Sequence, residues 1–75
     1  MDKVKERRLI GMLRMFYKRY NAYKEVERTG TQREKELAKS RYESYKDCIE
    51  RTAYILKNPN DSLSSFLKKN KIIIK

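Results

Sequence analysis

The six residues Thr29-Gly30-Thr31-Gln32-Arg33-Glu34 read as the end of one helix and the capped start of another. Gly30 is the residue that can enter the left-handed region without steric cost, the common way for a helix to close. Thr31 followed three residues later by Glu34 is a capping box, in which the threonine oxygen accepts from the Glu34 amide and the carboxylate reaches back to the Thr31 amide. With so little chain between them, the two helices must run antiparallel. This stretch therefore predicts an all-α fold, an antiparallel helical hairpin of two long amphipathic helices.

Upstream, Leu9, Leu13, Phe16, Tyr20 and Tyr23 recur at spacings of four, three, four and three, which places them on one face at about 100° per residue. Met12 and Val26 widen that face, and the pattern predicts a first helix over about 3–29. Downstream, Ala38, Tyr42, Tyr45, Ile49, Thr52 and Leu56 form a heptad-like seam that predicts a second helix over about 32–57. Pro59 ends it, since proline lacks an amide hydrogen and pushes the preceding residue out of the α region.

A flanking stripe of Leu37, Cys48 and Ile55 needs a further cover. Two are open: the C-terminal segment of the same chain, or a second copy that makes a hairpin dimer, a four-helix bundle. At 75 residues the chain is one small domain with a limited core, which favours the homodimer. Asn60, Asp61 and Ser62 are the candidate N-caps of a short helix over about 63–69, with Leu63, Phe66 and Leu67 turned inward. In the tail, 70–75, the β-branched run Ile72-Ile73-Ile74 favours an extended conformation, packed on the hairpin or paired with a symmetry mate.

The chain carries 20 Lys+Arg against 10 Asp+Glu, a formal charge of +10, which points to polyanions or anionic surfaces. The single Cys48 excludes an intramolecular disulfide and predicts an intracellular, cytoplasmic setting. The apolar run from Leu9 to Phe16 is interrupted by Arg14 and is too short and too charged for a signal peptide or a membrane span, and peripheral membrane binding is the weaker reading because the apolar face of the first helix is needed for the hairpin.

Without histidine, and with one cysteine, the usual zinc ligand sets cannot be assembled in one chain, and Gly11 and Gly30 alone cannot build a glycine-rich phosphate loop. Cys48 has no histidine to activate it, and the carboxylates alternate with Lys and Arg in ordinary helix-surface pairs such as Asp47 with Arg51. No catalytic residue, metal or cofactor is predicted. A non-enzymatic binding protein is.

The informative constellation is basic. Between Glu6 and Glu25 there is no acidic residue, and Lys3, Arg7, Arg14 and Lys18 fall within about 60° of one another, opposite Leu9, Leu13 and Phe16, with Gly11 in the gap of the stripe. Such a stripe can follow a phosphate backbone. The candidate contacts are Lys3, Arg7, Arg8, Arg14, Lys18 and Arg19. Tyr17 and Tyr54, off the seams, are candidate stacking or interface residues, and Ile72, Ile73 and Ile74 a candidate partner-binding tail. The first reading is a nucleic-acid-associated protein; nothing resembles a base-reading helix-turn-helix. The alternative is a small regulator or inhibitor that docks on an acidic surface of a larger protein.

Overall fold

The computed structural model describes residues 2–74 and is a helical hairpin with a short third helix. Lys75, the last residue of the expected tail, lies outside the described residues. Helix α1 spans Lys3–Thr29, α2 spans Gln32–Leu56 and α3 spans Leu63–Lys69. At about 1.5 Å per residue the 27 residues of α1 are about 40 Å long, which accounts for the 43 Å long axis of the molecule.

Each helix starts on a side-chain cap. The Val4 amide donates to Asp2 Oδ1 (3.0 Å), and the Ser65 amide donates to Ser62 Oγ (3.1 Å), which selects Ser62 from the three candidates before α3. At α2 the capping box is formed in both directions: the Glu34 amide donates to Thr31 Oγ1 (3.3 Å) and the Thr31 amide to Glu34 Oε1 (3.2 Å).

The reason for glycine at position 30 differs from the expected one. Gly30 has φ −81° and ψ 168°, extended backbone open to any residue, so no left-handed turn closes α1. What excludes a side chain is space. A Cβ there would sit 2.8 Å from the Val26 carbonyl oxygen and 2.9 Å from Val26 Cγ1, inside contact distance of backbone that cannot rotate away.

The left-handed residue of the described chain is Lys71, at φ 59°. It follows α3, where the Lys71 amide donates to the Lys68 carbonyl (3.0 Å) and the Ile72 amide to the Leu67 carbonyl (2.9 Å). This is a Schellman closure, and its usual hydrophobic contact is present because Ile72 and Leu67 join the same core. A lysine in that conformation is strained, so Lys71→Gly should raise stability by roughly 0.5–1 kcal/mol, a few degrees in thermal midpoint by circular dichroism.

The hairpin core is built as the two seams specify. Leu13 and Tyr20 of α1 meet Ile49 and Ala53 of α2, and every seam position from Leu9 to Leu56 is buried or half-buried. Aromatic rings ladder across the interface: Tyr20 meets Tyr42 edge-on at 5.9 Å between centroids, and Tyr45 stacks on Tyr23 at 5.8 Å and tilts against Phe16 at 6.1 Å. Ala38 and Ala53 let the backbones close in.

The C-terminal segment completes this core, but on one flank. Ile72 is 5% exposed inside the cluster, and the Ile73 amide donates to the Tyr17 hydroxyl (3.2 Å), tying the tail to α1. Ala53 is fully buried beneath this cover. The stripe of Leu37, Cys48 and Ile55 lies on the other side of α2, with Leu37 and Ile55 more than half exposed. The C-terminal segment therefore leaves the stripe mostly open, with only Leu63 of α3 bordering an open groove beside Ile55. The turn after α3 directs the tail to the opposite flank.

Candidate functional site

The basic stripe is a property of α1 and of its uneven charge. Lys3, Arg7, Arg14 and Lys18 are all exposed, and the 15-residue interval from Lys3 to Lys18 extends about 22 Å along the helix. Arg8 and Arg19 are exposed too, but helical geometry turns them about 100° away, onto the flank that the tail leaves bare. The six candidate contacts thus occupy two strips.

The ion pairs among the described residues lie elsewhere. Lys24 pairs with Glu27 (3.7 Å), Arg28 with Glu25 (3.7 Å), Arg51 with Asp47 (3.1 Å) and Lys69 with Asp61 (3.3 Å). No pair among them touches α1 before Lys24, so the stripe is left without a carboxylate partner. Gly11 sits within it with open space where a side chain would stand. Packing does not require glycine there, and in a helix interior it costs about 1 kcal/mol relative to alanine.

The tail adds cations that spacing along one helix could not reveal. Lys46, Lys68 and Lys71 rim an open groove of about 990 Å³ between α2 and the α3–tail segment, floored by Leu63, Leu67 and Ile72. Ile73 borders this groove and also a second one, of about 580 Å³, along α1 beside Tyr17, Asn21 and Lys24. The tail-bearing flank therefore carries lysines from α2, α3 and the tail around a groove that Glu50 also lines. Their convergence depends on how the tail packs.

The other candidates are placed less favourably for contact. Tyr17 is not off the core: it is half-buried against the cluster, with its hydroxyl accepting from Ile73. Tyr54 is exposed, with Lys57 Nζ 4.9 Å from its ring centroid, and the fold does not join the two tyrosines into one platform. In the tail, Ile72 is in the core and Ile74 half-buried, leaving Ile73 as the exposed isoleucine.

At the loop end, electrostatics tighten the hairpin. The Tyr42 hydroxyl donates to Glu27 Oε2 at 2.6 Å, and Lys24 lies both against Glu27 and over the Tyr42 ring, 4.4 Å from its centroid. The hydrogen bond to Glu27 pushes the Tyr42 phenol up to about 12, and the same bond, chiefly, holds the Glu27 carboxyl below its ordinary value of 4.5. Hydrogen bonds from Thr31 lower Glu34 likewise.

The signs follow. A lowered carboxylate contributes stability above pH 4.5 that is lost as pH falls through its folded value; a raised phenol contributes stability below pH 10 that is lost as pH climbs from 10 towards 12. Tyr42→Phe should flatten both limbs of the stability–pH profile, leaving the Glu34 part of the acid limb, and should lower stability near neutrality by the loss of one solvent-exposed hydrogen bond. Denaturant melts of both proteins across the pH range measure this.

No helix among the described residues is long and apolar enough to cross a membrane, and they contain no cluster of ligating side chains that could hold a metal ion. Compared with protein-family models, curated proteins and solved structures, the chain matches none.

Proposed function

We propose that this protein is a non-enzymatic nucleic-acid-binding protein that holds the phosphate backbone along α1. The observation that carries the reading is the uncompensated stripe of Lys3, Arg7, Arg14 and Lys18 on a rigid helix whose opposite face is locked in the core. Its length matches about six nucleotide steps at 3.4 Å each along one strand. Gly11 lets a backbone come close to the middle of the stripe, and Lys46, Lys68 and Lys71 extend the positive field onto the neighbouring flank. Arginine and lysine on phosphate fix position and carry no base information, so binding is independent of sequence.

The triple substitution Arg7→Ala, Arg14→Ala, Lys18→Ala removes three exposed cations and leaves the seam untouched. Affinity should fall alike on every sequence, and the slope of log affinity against log salt should flatten by about 0.9 per contact for duplex or about 0.7 for single strands. Fluorescence anisotropy at several salt concentrations reads this, with circular dichroism confirming unchanged helicity. A wild-type protein that binds neither DNA nor RNA at low salt rules the reading out.

A further inference from the structure

The two strips of cations on α1 enclose a third line. At about 100° per residue, Lys3, Arg7, Arg14 and Lys18 centre about 120° from Arg8 and Arg19, and midway between them run Val4, Gly11, Met15 and Ala22. All of these residues are exposed, Val4 at 58% and Met15 at 44%. The line itself carries no charge and no hydrogen-bonding side chain.

The face is basic without a carboxylate to offset it. From Lys3 to Ala22 the one acidic residue is Glu6, about 160° round the helix from the line. Glu25, one turn beyond Ala22, is paired with Arg28 at 3.7 Å, while Glu36, Asp47 and Glu50 line grooves of α2 and α3. The seam that packs on α2 centres about 140° from the same line, so the face stands clear of the rest of the hairpin.

We propose that this face lies in the major groove of duplex DNA, with one strip of cations on each phosphate wall and the Val4, Gly11, Met15 and Ala22 line toward the floor, which rests on the phosphate-binding reading of α1 and names its substrate. An α-helix with its side chains is about 10–12 Å across, and the major groove of B-DNA is about 12 Å wide. Phosphates stand along both walls of that groove, so both strips find partners at once, whereas a single strand engages one strip and leaves the other idle. The major groove of duplex RNA is too deep and narrow for a helix to enter. Gly11 and Ala22 let α1 sink between the walls, and with no hydrogen-bonding side chain in the line the base edges go unread, in keeping with sequence-independent binding. An acidic helix of a partner protein gains little here, because Gly11 and Ala22 offer it almost no apolar area to bury.

The test titrates the full chain, at several salt concentrations, against labelled duplex DNA of roughly 20 base pairs, longer than α1 at about 3.4 Å per step, and against the same sequence as duplex RNA and as single-stranded DNA. Duplex DNA should bind at least about tenfold more tightly than duplex RNA. Arg8→Ala with Arg19→Ala should flatten the salt slope on duplex DNA by about 1.8, two contacts at about 0.9 each, and leave single-strand affinity within about twofold of wild type at unchanged helicity. Methyl green, which occupies the major groove, should displace the wild-type protein, and netropsin, which occupies the minor groove, should not. Duplex RNA bound as tightly as duplex DNA, an unchanged slope in the double variant, or displacement by netropsin in place of methyl green would each overturn insertion in the groove while leaving phosphate binding by the Lys3–Lys18 stripe standing. Wild-type protein that binds neither DNA nor RNA at low salt overturns both.

Discussion

Replacing Ile72 by alanine is expected to remove a large part of the stability of the whole molecule. A buried isoleucine cut to alanine costs about 2–5 kcal/mol, and a chain of this length holds about 4–11 kcal/mol in total. Ile72 is 5% exposed and shares one cluster with Leu13, Tyr20, Ile49 and Ala53, so the void would open beneath the tail in the centre of the hairpin. The contrast with Ile73 makes the prediction sharp: one residue further along the same chain, at 62% exposure, Ile73→Ala should leave the melt within about 0.5 kcal/mol of wild type. Urea unfolding of the two variants side by side measures the difference. Equal effects would mean that the tail is not part of the core.

The second large effect belongs to the turn. Gly30→Val should destabilise the hairpin by about 1–3 kcal/mol, or on the order of 5–20 °C in thermal midpoint. The cause is crowding against the last turn of α1, where the Gly30 amide already donates to the Val26 carbonyl at 2.7 Å and a Cβ would lie 2.8 Å from that same oxygen. This mechanism has its own signature. A left-handed position accepts asparagine more readily than alanine. At Gly30 the clash begins at Cβ, so alanine and asparagine should be about equally harmful. If Gly30→Asn melts with wild type while Gly30→Ala does not, crowding is not the reason for the glycine.

What could be read from the residues and what could not divides along the range of the interaction. The Thr31–Glu34 box, the two seams and the break at Pro59 are set within a few residues, so spacing alone located both long helices and the faces they bury. Glycine is the cheapest residue in the left-handed conformation, which points to Gly30; the conformation falls instead on Lys71, where burial of Ile72 decides how the chain leaves α3. The same long-range packing buries Ala53 and half-buries Tyr17. Ala53 had a visible signal, standing four residues after Ile49 and three before Leu56, on the edge of the seam. Tyr17 had none, because its role is fixed by an amide 56 residues away.

For the candidate site, the exposure of the stripe followed from periodicity, since residues opposite a buried seam must face water. Arg8 and Arg19, also candidate contacts, stand beside the stripe in sequence but on another strip of the helix, because rotation about its axis separates them. The gathering of Lys46, Lys68 and Lys71 around one groove was not legible, because three elements meet there only after the tail has folded back.

The bond from the Ile73 amide to the Tyr17 hydroxyl also divides the molecule into two tiers of opening. The hairpin is held by contacts that zip outward from a two-residue turn, whereas the strap formed by α3 and the tail rests on α2 and is pinned to α1 through a side chain. A segment joined to the rest by fewer contacts than the two long helices make with each other can open at lower free energy than the whole, even where it buries a residue such as Ile72. In native-state hydrogen exchange the strap should therefore open ahead of the hairpin, each excursion giving up the burial of Ile72 and uncovering the side on which Ala53 and Ile49 are otherwise sealed from water.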